Sequence, residues 1–168
     1  IKIGSDGPTH QPIEQLGSLR SIPNMTVYRP ADVNEIVGSW DYIINKKTPA
    51  SILLPREEKG MLKGSSIEGT IKGAYIIKKE MGRLSGIIIA TGSEVETALE
   101  ISDSLELKGI MTRVISMPSI EVFNKQPSEY KENLLGVGTK IVVIEASNDS
   151  IWNEFVYNKK YLLNLNSF

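Results

Sequence analysis

The sequence predicts an α/β protein made of two three-layer α/β units with mainly parallel sheets, the first of which is truncated. Short apolar segments typical of buried strands alternate along the chain with longer segments whose apolar residues recur at helical spacing. This alternation is typical of parallel sheets covered by helices. The chain has 168 residues, 40% of them hydrophobic and 23% charged, which allows one domain or two small ones.

The first predicted unit covers residues 1–56, in the order strand, loop, helix, strand, helix, strand. Three strands are few for a doubly wound domain, so we expect a truncated unit and a chain that is a fragment of a longer protein. The signals are an opening strand at Ile1, a helix after Pro12, the strand MTVYRP, a helix from the capping residue Asp32 to Asn45, and the doubly buried strand ASILLP.

The second predicted helix of this unit carries an apolar stripe at helical spacing. Its members are Val33, Ile36, Val37, Trp40, Ile43 and Ile44. We assign the stripe around Trp40 to the hydrophobic core, because an amphipathic helix normally turns its apolar face inward.

Residues 57–85 predict a packed linker, since glycine, serine and charge are mixed without periodicity before the single candidate strand AYIIKK. Residues 86–168 predict the second unit, and its last residues, LNLNSF, suggest no closing strand or helix. Its signals are the strand GIIIATG, a helix from the capping residue Ser93 to Lys108 stopped by Gly109, the strands MTRVISM and KIVVIEA, and the helical segment PSEYKENLL.

Composition excludes several classes of function. The net charge of −1, without runs of like charge, argues against nucleic acid or an anionic membrane as a partner. No stretch approaches the roughly 18 apolar residues of a membrane helix, and no signal peptide is recognisable, so we expect a cytoplasmic protein. With no cysteine and one histidine, thiolate chemistry and clustered zinc ligands are excluded, and we predict no metal site in this chain.

The segment GSDGPTHQP, residues 4–12, contains the only histidine of the chain. Asp6 and His10 lie in a loop that follows a predicted strand, where open α/β sheets usually bind ligands. Histidine can move a proton near neutral pH, and a carboxylate can bind a substrate hydroxyl. From the spacing alone, the more common case is a surface histidine in a turn, with Asp6 capping the loop, because loop histidines are frequent.

Two further segments suggest anion binding. Arg56 follows the predicted strand ASILLP, so it lies on the same sheet edge as Asp6 and His10 if the strands are parallel, and its guanidinium suits a phosphate or carboxylate. A solvated arginine paired with Glu57 or Glu58 fits as well. The turn ATGSEV joins a strand to a helix and can hold an anion on free N–H groups, although such turns mostly just close a βα unit.

The order of motifs narrows these alternatives. The segment GSDGPTHQPIEQLGSLRSIPNMTVYRPADVNE closely resembles the transketolases, whose pattern is D-G-P-T-H-Q-P, then E-x-L-x-x-x-R-x-x-P-N, then R-P-A-D. The resemblance continues through TPASILLPR, KGAYII, ATGSEV, RVISMPS and FNKQPSEYKENLL, and so covers nearly the whole chain in the right order. It assigns residues 1–56 to the second half of the family's pyrimidine-binding domain and residues 86–168 to most of its C-terminal domain.

The resemblance implies a homodimeric enzyme of the non-oxidative pentose phosphate pathway that uses thiamine diphosphate and Mg²⁺ or Ca²⁺. Such an enzyme moves a two-carbon ketol unit between sugar phosphates, and the cofactor performs the C–C cleavage. Asp6 is similar to the family residue that binds a sugar hydroxyl, and Arg56 to the one that binds the substrate phosphate. His10 is similar to a catalytic histidine near the reacting oxygens and the cofactor, so it is the one candidate cofactor contact in this chain.

The sequence also departs from the family pattern. Ser5 stands where glutamate is common, Pro55 where serine is common, and Glu57 and Glu58 where Gln-Asn is usual. Glu57 would weaken a phosphate site at Arg56 by repulsion. The family's metal motif and the glutamate that activates the cofactor lie upstream of the segments matched here, so we expect this chain alone to be inactive and to bind no cofactor tightly.

Two other classes of protein share part of this pattern: related thiamine diphosphate enzymes and non-catalytic modules. Deoxyxylulose-phosphate synthases and the β subunits of 2-oxo acid dehydrogenases share the domain order, but not DGPTHQP joined to RPADVNE. A non-catalytic anion-binding or dimerisation module built around ATGSEV is the rival outside enzymes.

Overall fold

The computed structural model of the chain describes residue 10, residues 12–55 and residues 60–165. Within these residues the chain forms a two-stranded parallel sheet and a five-stranded mixed sheet, both accompanied by helices. The predicted α/β class with mostly parallel sheets is confirmed. The predicted opening strand lies outside the described residues.

The smaller sheet and its helices form what we call the N-terminal unit. Strand β1 pairs in parallel with β2, so that Thr26 is opposite Ala50 and Tyr28 is opposite Ile52. The elements are α1 (Gln15–Arg20), β1 (Thr26–Tyr28), α2 (Val33–Lys46) and β2 (Ala50–Ile52). The three residues of β2 are only half-buried, so the prediction of a strand buried on both faces is wrong. Apolar composition allows burial, but the neighbours of a strand decide it.

Helix α2 begins as predicted, because the Asp32 carboxylate accepts a hydrogen bond from the Glu35 backbone N–H at 3.1 Å. Its orientation differs from the prediction. The apolar side chains that are 47% to 65% exposed are Val33, Val37, Trp40 and Ile44. The residues on the buried side are Glu35, Gly38, Ser39 and Tyr42. The core assignment of the stripe around Trp40 is therefore wrong for these four residues, whereas Ile36 and Ile43 are half-buried.

The physical reason is the helix that α2 packs against, α3 (Ile67–Ile71). A Cβ on Gly38 would lie 2.7 Å from both the Ile67 carbonyl oxygen and Thr70 Cβ, so only glycine permits this close approach. Glu35, on the same face, forms three buried hydrogen bonds. Close approach and directed hydrogen bonds thus select the small and polar face of α2 for burial.

The larger sheet and its helices form the C-terminal unit. Its strands have the spatial order β3-β5-β4-β6-β7, with β3 antiparallel to β5 and the other neighbours parallel. In chain order the elements are β3 (Tyr75–Lys78), β4 (Gly86–Ala90), α4 (Glu94–Glu106), β5 (Thr112–Ser116), α5 (Ile120–Asn124), α6 (Ser128–Leu135), β6 (Ile141–Glu145) and β7 (Leu162–Asn164). Short 3₁₀ helices at Ser150–Glu154 and Lys159–Tyr161 precede β7.

The central strand β4 shows how this sheet is covered on both faces. Ile87 and Ile89 pack into one apolar cluster with α5 and α6, and Ile88 and Ala90 pack into another with α4. The side chains of a strand alternate between its faces, so both clusters arise from one apolar run. The predicted buried strand GIIIATG is confirmed.

Two local predictions for this unit are wrong. Strand β7 closes the sheet beside β6, where the sequence suggested no closing element. Ser93 precedes α4 but does not cap it, since its hydroxyl donates to Glu94 Oε1 at 2.7 Å. In both cases a nearby partner decides the outcome: β6 supplies an edge for a short strand, and a carboxylate competes for the hydroxyl.

Candidate functional site

The structure describes only one of the three predicted site residues. His10 lies in a 3₁₀ turn and its side chain is exposed. Asp6 and Arg56 lie outside the described residues, as do Ser5, Glu57 and Glu58. The expectation that Asp6, His10 and Arg56 share a cleft therefore stays a prediction.

The strand ends near this site are well defined. Because β1 and β2 are parallel, their carboxyl ends lie at the same edge, where Leu53 N–H donates to the Tyr28 carbonyl at 2.9 Å. Arg29, directly after β1, donates its N–H to the Pro118 carbonyl at 2.8 Å and accepts from Gly92 N–H at 3.0 Å. The carboxyl ends of β1, β4 and β5 thus meet at Arg29.

The side chain of Arg29 joins the two units through buried ion pairs. It pairs with Glu145 at the end of β6, and its Nη2 lies 3.1 Å from Glu94 Oε2. The Trp152 indole donates to the second oxygen of Glu145 at 3.2 Å. Burial lowers the pKa of Arg29, while Glu94 acts in the opposite direction and favours the cation.

The backbone and side chain of Arg29 both lie against the turn ATGSEV, at Gly92. Gly92 N–H is used by the Arg29 carbonyl, and a Cβ on Gly92 would lie 3.2 Å from Arg29 Nη2. Gly92 has a φ of 58°, a conformation that favours glycine. The Gly92 N–H is therefore already paired within the chain, and the Arg29 side chain lies against the turn.

A second buried ionic cluster holds α1, the helix that follows His10. We call it the Arg20 cluster, and it consists of Arg20, Glu121, Asp149 and Trp152. Arg20 Nη1 lies 2.5 Å from Asp149 Oδ2, and its Nε lies 3.0 Å from Glu121 Oε1. The guanidinium carbon also lies 5.8 Å from the centre of the Trp152 ring. The C-terminal unit thus holds the end of α1.

A third polar site lies between α2 and the C-terminal unit. Glu35 accepts hydrogen bonds from Ala31 N–H at 2.7 Å, from the Tyr75 hydroxyl at 2.8 Å and from the Ser116 hydroxyl at 2.5 Å. Burial raises the pKa of Glu35, and these hydrogen bonds oppose the shift. Burial, together with the nearby Glu35 carboxylate, raises the pKa of Tyr75.

Within residues 10, 12–55 and 60–165, no group of three or more acidic or histidine side chains is placed to hold a metal ion. The same residues include no helix that is long and apolar enough to cross a membrane.

Sequence reasoning missed all three polar sites. The partners of Arg20 and Arg29 are between 65 and 129 residues away along the chain. No spacing motif can reveal such pairs. The one local signal of a buried partner is an acidic residue at the end of an apolar strand, such as Glu145 at the end of β6.

Comparison with known proteins shows the family. A family model described as the transketolase-like TK C-terminal domain matches residues 73–168, which is more than half of the chain. The chain belongs to the transketolase family. A second model, the transketolase pyrimidine-binding domain, matches residues 1–60. The family implies thiamine diphosphate and a divalent metal as cofactors, sugar phosphates as substrates, and oligomerisation.

Individual transketolases match along the whole chain. The chain is 46% identical over 173 aligned residues to the transketolase of Aquifex aeolicus, covering 100% of this chain and 25% of that protein. It thus spans about a quarter of that relative's length. Among solved structures, transketolase from Leishmania mexicana superposes with a TM-score of 0.91 at 35% identity, covering 99% of this chain and 24% of that one.

A third comparison concerns a divided transketolase. A solved structure described as a split gene transketolase, inactive beta4 tetramer, has a TM-score of 0.67 and 26% identity. It covers 83% of this chain and 44% of that chain.

Proposed function

We propose that this chain is part of a homodimeric transketolase that transfers a two-carbon ketol unit from a ketose phosphate to an aldose phosphate in the non-oxidative pentose phosphate pathway. One observation carries the proposal. The pyrimidine-binding and C-terminal models match consecutive parts of the chain, in that order, over residues 1–60 and 73–168.

The proposed roles of the site residues follow from their chemistry. His10 binds and exchanges protons with the reacting oxygens of the sugar, Asp6 accepts a hydrogen bond from a sugar hydroxyl, and Arg56 holds the phosphate. The exposed position of His10 and the parallel pairing of β1 with β2 support these roles. Thiamine diphosphate supplies the carbanion chemistry when bound, and we assign this chain only the contacts with the sugar.

The direct test uses the full-length protein that contains this sequence. With thiamine diphosphate and magnesium, it should transfer a ketol unit from a ketose phosphate donor to an aldose phosphate acceptor. Activity that requires pyruvate would contradict the proposal and favour a rival thiamine enzyme.

A variant sharpens the assignment of Arg56. In the full-length protein, Arg56→Ala should raise KM for phosphorylated sugars about tenfold or more, because a charge-assisted phosphate contact is lost. The matched control is Arg83→Ala, which removes an exposed arginine in the loop before β4 and should leave KM unchanged. A fall in kcat with an unchanged KM would argue against the phosphate role.

We also propose that the 168-residue chain alone neither catalyses the reaction nor binds thiamine diphosphate tightly. The described residues offer no metal ligand cluster, and a solved split-gene transketolase is inactive as its beta4 tetramer. Titration calorimetry of the chain with thiamine diphosphate and magnesium checks this proposal. Saturable one-to-one binding in the micromolar range would contradict it.

A further inference from the structure

The helix that follows His10 in the chain, α1, is too short to be stable on its own. Helix α1 has only six residues, and isolated helices this short are unstable in water. Its place must therefore be set by contacts with the rest of the protein. Several of these contacts come from the segment of the C-terminal unit that follows β6.

The segment contacts both ends of the stretch between residues 13 and 20. At the near end, three residues after His10, the Ile13 carbonyl accepts a hydrogen bond from Asn148 N–H at 2.8 Å, and Ile13 is buried. At the far end, Arg20 pairs with Asp149 and Glu121. One short segment, Asn148 and Asp149, thus reaches both ends of the stretch.

The ion pair between Arg20 and Asp149 is buried, and further hydrogen bonds fix its geometry. The side chains are 4% and 5% exposed, and Asp149 is fixed by a second contact, since its Oδ1 accepts from Ile151 N–H at 3.1 Å. Glu121 is fixed in the same way by the Ser119 hydroxyl at 3.1 Å. Breaking a buried pair leaves an uncompensated charge, so the partners hold each other in one geometry.

We propose that Asp149 is a positioning residue for His10, acting through Arg20 and helix α1. The inference rests on the proposed function, since it assumes that His10 contacts the sugar. Asp149 contacts neither substrate nor cofactor in this assignment. Through Asp149, the C-terminal unit would help to set the position of His10. That position matters, because displacement of a catalytic group by about 1 Å can slow a reaction as much as a hundredfold.

The experiment is a double-mutant cycle in the full-length protein with the variants Asp149→Asn and Arg20→Gln. Asparagine keeps the size of Asp149 and the oxygen that accepts from Ile151, but it removes the charge. Each single variant should lower kcat for ketol transfer about tenfold with KM for the sugar phosphate within twofold. The double variant should be no slower than the worse single one, since residues of one contact are not additive.

The control cycle uses an ion pair between a lysine and an aspartate that is remote from α1. Lys78 Nζ lies 2.6 Å from Asp103 Oδ1, and the Asp103 side chain is 70% exposed. Asp103→Asn and Lys78→Gln should each change kcat less than twofold, because the polar partners of Lys78, which are Ser102, Asp103 and Glu106, all lie on α4 and none of them contacts α1.

The outcomes separate the two proposals. Absence of ketol transfer in the unmodified full-length protein contradicts the proposed function itself. An active parent with folded variants whose kcat stays within twofold, or whose KM alone rises, overturns the positioning role. If Asp149→Asn does not fold, Arg20→Lys tests the same role. Lysine keeps the positive charge but lacks the planar guanidinium that pairs with both Glu121 and Asp149. An unchanged kcat for Arg20→Lys would likewise overturn the inference.

Discussion

The two units of the molecule are stabilised in different ways. In the C-terminal unit, the apolar residues of β4 fill two separate clusters, and Ile89 at its centre is 0% exposed. In the N-terminal unit, α2 turns most of its apolar stripe outward and buries Glu35 and Gly38. Buried ion pairs from Arg20 and Arg29 then join this unit to its neighbour.

The difference has a consequence for function. Hydrophobic packing is non-directional and tolerates many arrangements, whereas hydrogen bonds and ion pairs require defined distances and angles. The unit that carries His10 thus depends more on directed contacts, beside a small apolar cluster around Tyr28, and the unit that supports it depends more on packing. We expect substitutions in the C-terminal unit to affect mainly stability, and substitutions at the contacts between the units to affect geometry.

The largest expected effect is in the packed unit. Ile89→Ala should lower the free energy of unfolding of the chain by about 2–5 kcal/mol, through lost burial and a residual cavity. The control is Ile44→Ala on α2, where the side chain is 65% exposed and the change should stay below about 0.5 kcal/mol. Urea unfolding followed by circular dichroism measures both. Equal effects would contradict the contrast between the two units.

A smaller effect is expected where α2 meets α3. Gly38→Ala should destabilise the chain by about 1–3 kcal/mol, because the new methyl group meets the Ile67 backbone at 2.7 Å. The control is Gly17→Ala in α1, where the nearest atom is Asp149 Oδ1 at an ordinary 3.6 Å. That change should stabilise by up to about 1 kcal/mol, since alanine favours helices. Thermal unfolding checks the opposite signs; a stabilising Gly38→Ala would show that the helices are not in close contact.

The smallest effect concerns pH. Burial holds the pKa of Glu35 above its ordinary 4.5, so the native state retains this proton more strongly than the unfolded state. Its favourable contribution is complete below pH 4.5 and is lost as pH rises through the native pKa. The stability difference between the unmodified chain and Glu35→Gln should therefore decrease with rising pH over that window.

Glu80 provides the opposite case for the same measurement. Arg113 donates to both oxygens of its carboxylate, at 2.9 and 2.6 Å, and these hydrogen bonds lower the pKa of Glu80. Its contribution is present above pH 4.5 and is lost as pH falls through the native pKa. Unfolding curves of Glu80→Gln across acidic pH should thus show the reverse trend, and parallel trends would contradict the proposed environments.

Much of the fold could be predicted from local patterns. The strand GIIIATG, the cap at Asp32 and the helical segment PSEYKENLL are all present, because backbone geometry alone sets their periodicity and capping. The candidate site was recognised from a loop motif, DGPTHQP, whose family resemblance the comparisons bear out. Strand β7 was missed, since three residues carry too little pattern to predict a strand without its neighbour.

The sequence by itself determined the alternation of strands and helices, the family, and the candidate residues Asp6, His10 and Arg56. Only the tertiary structure decided which face of α2 is buried, what occupies the turn at Gly92, and which carboxylates hold Arg20. The reason is the range of the interactions. Helical and strand periodicity arises within a few residues, whereas a buried ion pair forms between residues that only the folded chain brings together.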